Sequence, residues 1–176
     1  MACNTSLVQI IKGCDNNAGG LTKFYIAPAE FVDQTGFGFT AGTDTITAIT
    51  MLSGATFTEF QFNKNVANYE EVGTISLENG STYFAQTVNL TIPRREAAKR
   101  AAIQLIASGQ RDLQIIVKDG NGLYWFLGYA NFANLTATGG GSGTVKGDGS
   151  QYTLTFLAEE PAQAFEVEEA AVLAVT

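Results

Sequence analysis

Histidine is absent from the 176 residues, and there are only two cysteines, three prolines and one tryptophan. The missing imidazole removes the commonest general base and the commonest metal ligand. Two cysteines without histidine leave too few good ligands for a structural zinc site, which takes four. Positive charge is scarce as well: ten Lys and Arg stand against seventeen Asp and Glu, a net charge of −7. That balance disfavours general nucleic-acid binding, which needs clustered cations to displace counterions from phosphates. No uninterrupted apolar run approaches the roughly 20 residues that a membrane helix needs. The start, Met1-Ala-Cys-Asn-Thr5, lacks a basic segment, and Ser6–Ile11 is too short for a secretory signal core. A cytoplasmic product is expected, in which thiols stay reduced, so pairing of Cys3 with Cys14 is the less expected alternative.

Set against the three prolines, nineteen glycines indicate many tight turns rather than a disordered chain. Twelve Phe, six Tyr and many Thr and Val favour strands. A chain of 176 residues suits a single domain, 1–176, which buries roughly 70% of its unfolded surface without a disulfide or metal staple.

Alternating patterns place strands at Ser6–Lys12, Leu21–Ala27, Thr45–Leu52 and Thr56–Asn63, with a loop anchored by aromatics over Asp33–Asp44. Lys64–Gly73 is polar and reads as a long connection or an extended hairpin arm. Thr74–Leu77 and Thr82–Ile92 form a hairpin around the turn signal Asn79-Gly80. In its second strand Phe84, Gln86, Val88, Leu90 and Ile92 share one face. A second hairpin, Leu113–Lys118 and Leu123–Tyr129, turns at Asp119-Gly-Asn-Gly122, and strands follow at Asn131–Thr138 and Gln151–Leu157. The tail after Pro161 is acidic, then apolar: it either adds a strand to its own sheet or forms an arm, 162–176, lying on a neighbour.

One helix is expected, at about 93–108, with Pro93 at the first helical position and Gly109 just past its end. Ala98, Ala102, Leu105 and Ile106 form its expected buried stripe. The fold class is therefore α+β and mostly β. The helix also polarises the chain. From Arg94 to Arg111 there are five basic residues and one acid, Glu96, a charge of +4. The remaining five basic and sixteen acidic residues carry −11.

No catalytic constellation emerges. Gly139-Gly-Gly-Ser-Gly-Thr-Val-Lys-Gly147 misses the spacing of a phosphate-binding loop, because Val145 precedes Lys146 and no helix follows. Asp119-Gly-Asn-Gly122 lacks the later acidic ligands of a calcium loop. Glu159-Glu160 and Glu168-Glu169 read as solvated edges, and Ser53 and Ser81 have no evident base. No cofactor or metal is expected. The basic helix, with Arg94, Arg95, Lys99 and Arg100, has three readings: a solvated face, half of a contact with acidic surface on another copy, or a nucleic-acid contact. The last is disfavoured because no aromatics interleave the cations and the rest of the chain is acidic.

Three segments together carry a resemblance: Gly13-Cys-Asp-Asn-Asn-Ala-Gly-Gly-Leu-Thr-Lys-Phe-Tyr-Ile-Ala27, Asp119-Gly-Asn-Gly-Leu-Tyr-Trp-Phe-Leu-Gly128 and Gly147-Asp-Gly-Ser-Gln-Tyr-Thr-Leu-Thr-Phe-Leu-Ala-Glu-Glu-Pro161. In this order they resemble virion structural proteins of tailed phages infecting Bacteroidetes, the tail tube protein above all. The resemblance implies two packed antiparallel sheets, sandwich- or barrel-like, flanked by one helix. It implies a homo-oligomer of stacked, hexameric rings in the phage tail, made in the host cytoplasm, with other tail proteins as partners. Double-stranded DNA would pass an acidic lumen without specific binding. A long hairpin within Asn63–Gly73 would contact the next ring, making Lys64, Asn65, Tyr69, Glu70 and Glu71 contact candidates. Terminal arms that bridge subunits add Phe165, Val167, Val172 and Leu173. Alternatives are a tail terminator, a head–tail connector, a capsid decoration protein, or a monomeric β-barrel holding a small apolar ligand.

Overall fold

A computed structural model describes residues 10, 12, 14, 16–109 and 111–176. The expected strand Ser6–Lys12 and the pairing of Cys3 with Cys14 rest on residues outside this set. Eleven strands follow in order: β1 (Leu21–Pro28), β2 (Gly38–Phe39), β3 (Ile46–Ala48), β4 (Thr58–Glu59), β5 (Ala67–Ser76), β6 (Ser81–Pro93), β7 (Leu113–Asp119), β8 (Tyr124–Leu127), β9 (Ala133–Gly141), β10 (Gln151–Glu160) and β11 (Phe165–Val167). Helix α1 (Ala97–Ser108) separates β6 from β7, and a short α2 (Glu169–Leu173) lies near the end of the chain. The fold is mostly β, as its composition dictates.

The strands form one hydrogen-bonded network, β2-β3-β11-β8-β7-β9-β10-β6-β5, with β1 pairing both β7 and β4. All pairs are antiparallel except β11 with β3. The expected two packed sheets are thus layers of a single network that curls over itself, with β5 returning against β1. The layer of β1, β7 and β8 is buried on both faces. Every residue from Leu113 to Val117 is buried, and for this reason the segment reads as a near-continuous apolar run. On one face Phe24, Leu113, Ile115 and Val117 meet Val88, Leu90, Leu154 and Phe156 of β6 and β10. On the other, Tyr25, Ile116 and Phe126 meet Ile46, Phe57 and the end of the chain.

That end resolves the tail. Of its two readings, an added strand or an arm on a neighbour, the structure takes the first. Phe165–Val167 pairs antiparallel with Trp125 and its neighbours in β8. Val167, Ala171, Val172 and Val175 are buried in the second cluster, and the Phe57 N–H donates to the Val175 carbonyl at 2.8 Å. Leaving three valines in water would forfeit about 1.5 kcal/mol or more each.

The helix departs from expectation at both ends. β6 continues through Pro93, which pairs with Gln151 at the strand's last position, where a missing N–H costs little. Arg94 then turns with φ +60, its N–H donating to the Ser150 carbonyl at 2.6 Å. Glu96 takes the N-cap position in an extended conformation, without a side-chain capping bond, and α1 starts at Ala97. Gly109 ends the helix in a right-handed conformation, so the expected left-handed glycine cap is not formed. The buried position is Ile103, with Lys99 and Ile106 half-buried beside it, whereas Ala98, Ala102 and Leu105 face solvent. Positions 103 and 105 lie about 160° apart around a helix, so only one can meet the sheet. Ile103 reaches the core around Ile92 and Phe60.

Candidate functional site

The most exposed regular structure is the end of the β5–β6 hairpin. Ten residue pairs join these strands, from Ala67↔Leu90 to Ser76↔Ser81. On the other side of β6, β10 pairs only as far as Phe84. The stretch Thr74–Tyr83 is therefore a two-stranded extension standing beyond the sheet. Strand alternation puts Ile75 on the continuation of the core-side face, and Val72 and Tyr83 on the outer face. All three are exposed, and Leu77 in the turn is 94% exposed. β5 is also the terminal strand of the network, with one edge unpaired.

The contact candidates of Asn63–Gly73 separate along this hairpin. Lys64 and Asn65 occupy the turn that leads into β5, Asn65 with φ +62. They lie at the end opposite the extension. Tyr69 packs against the core, and burial, with the Glu71 carboxylate adding, pushes its phenol above the ordinary value. Glu71 is an internal tie: its Oε1 accepts from Gln86 Nε2 at 3.2 Å and from the Ala164 N–H at 2.9 Å. Glu70 is exposed. Of the two readings of Lys64–Gly73, the hairpin arm holds from Ala67 onward, but the reaching part of the hairpin is Thr74–Tyr83, beyond the expected contact segment. The signal was present in Ile75 and Leu77, two large aliphatic residues leading into and opening a turn that needs none.

Of the tail candidates, Val167 and Val172 are committed to the chain's own core and Phe165 stacks edge-on against Tyr129 at 5.1 Å. Leu173 alone is open, at 63%. Glu169 anchors this segment, accepting from Lys118 Nζ and Tyr124 Oη, each at 3.2 Å. Those bonds, Lys118 first, hold the carboxyl below its ordinary range.

Around α1 the cations divide. Arg94 and Lys99 both turn to Glu96, at 2.9 and 3.6 Å, and Lys99 also donates to the Pro93 and Arg94 carbonyls. Arg95 lies over the Tyr152 ring, its guanidinium carbon 5.2 Å from the centroid. Arg95 and Arg100 have no carboxylate partner among the described residues. Both line a groove of about 340 Å³ between α1 and the β9–β10 hairpin, with Ile103, Gln104, Gly140 and Tyr152.

The reading of Glu159-Glu160 as a solvated edge is corrected in one half. Glu159 is exposed, but Glu160 is only 3% exposed and accepts the Ala130 and Asn131 N–H groups at 3.0 and 2.9 Å. Burial outweighs these donors and raises its pKa. Beside it Gln86, equally buried, accepts the Gly128 N–H and donates to the Ala162 carbonyl. Together these two side chains fasten the 128–132 and 160–164 bends. Their chemistry is structural. Among the described residues no group of three or more His, Cys, Asp or Glu is placed to hold a metal ion, and no helix is long and apolar enough to cross a membrane. No family model matches the chain, and no curated protein matches it.

Proposed function

We propose that this chain is a non-enzymatic structural subunit that assembles with copies of itself, and that the assembly is a phage tail tube. The observation that carries the reading is the unsupported hairpin end Thr74–Tyr83, which holds Ile75, Leu77 and Tyr83 in water, with exposed Val72 at its base. Exposed apolar side chains on a projecting, edge-bearing hairpin are costly for a monomer and are ordinary features of a surface that meets another chain. Two further features support it. The network leaves β2, β4 and β5 as edge strands, and five of the ten cations fall between Arg94 and Arg111, on α1 and the segments flanking it, in an otherwise acidic chain. The resemblance described above supplies the tail tube itself, with stacked rings and an acidic passage for DNA; a tail terminator, connector or decoration protein would use the same surfaces differently.

The ligand-binding barrel is the weaker reading. The interior that such a barrel would keep open is occupied by Phe24, which lies 5.3 Å from Phe156 and 5.9 Å from Phe60, centroid to centroid. Packing of this kind leaves no room for a guest.

Electron microscopy and sedimentation of the purified full chain over a concentration series test the proposal. Regular rings or tubes are the expected species. A strictly monomeric protein at high concentration refutes it.

A further inference from the structure

The hairpin turn and the arginine groove occupy opposite ends of one strand. The turn precedes Ser81 at the start of β6, whereas the groove's Tyr152 pairs with Ile92 at the other end. Across a 13-residue strand this separation is roughly 40 Å, so the turn cannot reach its own groove. The two surfaces are nevertheless complementary. The groove offers two guanidiniums without a carboxylate partner among the described residues, over a floor that includes buried Ile103 and Tyr152. Tyr152 holds the Arg95 head in place from below. The turn offers a carboxylate, Glu78, directly after Leu77, the most exposed large hydrophobic side chain of the hairpin. It is also narrow, two strands wide, and the Asn79 Oδ1 accepts the Ser81 N–H to stiffen it.

We infer that the groove between α1 and the β9–β10 hairpin receives the hairpin turn of a second copy, Glu78 pairing with Arg95 and Arg100 while Leu77 packs toward Ile103 and Tyr152. This inference rests on the self-assembly reading and gives it a direction. Donor and acceptor surfaces are different and lie at opposite ends of β6, so the contact is head-to-tail. Such contacts propagate along the strand axis instead of closing as a two-fold dimer. Arg94 and Lys99, turned away onto Glu96, stay outside the contact.

The test uses the full chain and three variants: E78R, R95E/R100E, and the charge-exchanged E78R/R95E/R100E. Sedimentation velocity and negative-stain microscopy over a concentration series give the concentration at which assembly begins, at physiological salt. E78R and R95E/R100E are each expected to raise it on the order of tenfold or more, and the exchanged variant to bring it back toward wild type. Circular dichroism checks that each variant is folded; if one is not, E78Q and R95Q/R100Q replace it with the same expected direction. Wild-type assembly with unchanged onset in both charge variants overturns the groove contact and leaves the self-assembly reading standing. Disruption by the two charge reversals without recovery in the exchanged variant overturns the pairing in the same way. A wild type that never assembles overturns both. A short DNA duplex that binds wild type and not R95E/R100E, with assembly onset unchanged, reassigns the groove to nucleic acid and overturns the inference.

Discussion

Val172→Ala tests whether the end of the chain belongs to its own core. Val172 is fully buried among Ile46, Ile116 and Phe126, one residue before the exposed Leu173. Removing two methyl carbons forfeits about 1.6 kcal/mol of transfer free energy at ~0.8 kcal/mol per carbon. An unfilled cavity between strands that cannot collapse adds about 1 kcal/mol. Alanine's better helix propensity returns about 0.5 kcal/mol, since α2 is little more than one turn. The expected net destabilisation is about 2 kcal/mol, which lowers the thermal midpoint of a 176-residue chain by roughly 4–8 °C. Leu173→Ala, at a side chain 63% exposed, is the control and is expected to change stability by less than about 0.5 kcal/mol. Both are read by thermal and urea unfolding followed by circular dichroism, at several protein concentrations. The reasoning fails if V172A melts within about 1 °C of wild type. It also fails if the V172A deficit vanishes as concentration rises, because the valine would then be buried by a neighbouring copy instead of by its own chain.

The register of α1 makes a second prediction: Ile103→Ala is expected to cost about 2–3 kcal/mol and Leu105→Ala almost nothing, by urea midpoint, and equal costs would mean the helix is turned otherwise. Two glycines with left-handed backbones should differ sharply. Gly80 has φ +69 and open space around it, so Gly80→Ala is expected to cost about 1 kcal/mol. Gly128 has φ +73 and a Cβ there would sit 2.7 Å from the Ala133 nitrogen, so Gly128→Ala is expected to cost more than about 3 kcal/mol or to prevent folding; similar melting curves for the two variants would contradict the packing. Glu160 supplies a pH dependence. Its folded-state pKa is raised above 4.5 by burial, so its stabilising contribution is present below that value and lost as pH rises through the raised one. Wild type is therefore expected to lose stability relative to Glu160→Gln as pH rises above 4.5, and a difference that is flat or widens in wild type's favour refutes the assignment.

If the head-to-tail contact holds, the charge separation that marks the sequence has a mechanical purpose. A positive groove at one end of β6 and an acidic turn at the other give each subunit a direction, and like ends repel. The buried pair Gln86 and Glu160 then serves the same end indirectly, by fixing the bends on which β8, β9 and β10 depend.

Period-two alternation by itself determined most of the strands. In β6 the even positions Gln86 to Ile92 are buried, as a half-buried strand requires, and Leu113–Lys118 was legible as a strand, while its burial on both faces came from the layers packed around it. Composition alone settled the class, because a chain rich in Phe, Thr and Val with a single amphipathic segment has few other options. What the tertiary structure decided were choices between locally equal alternatives. Pro93 suits a helix start and a strand end alike, and the pairing with Gln151 selected the strand. Ile103 and Leu105 are equivalent within an isolated helix, and only the sheet beneath chose between them. Glu160 looked solvated until the 128–132 bend folded over it, and the tail's destination depended on an open position beside β8 that no local pattern encodes. The reach of the β5–β6 hairpin is decided in the same way: it projects because β10 stops pairing at Phe84, a fact about a strand nearly 80 residues away.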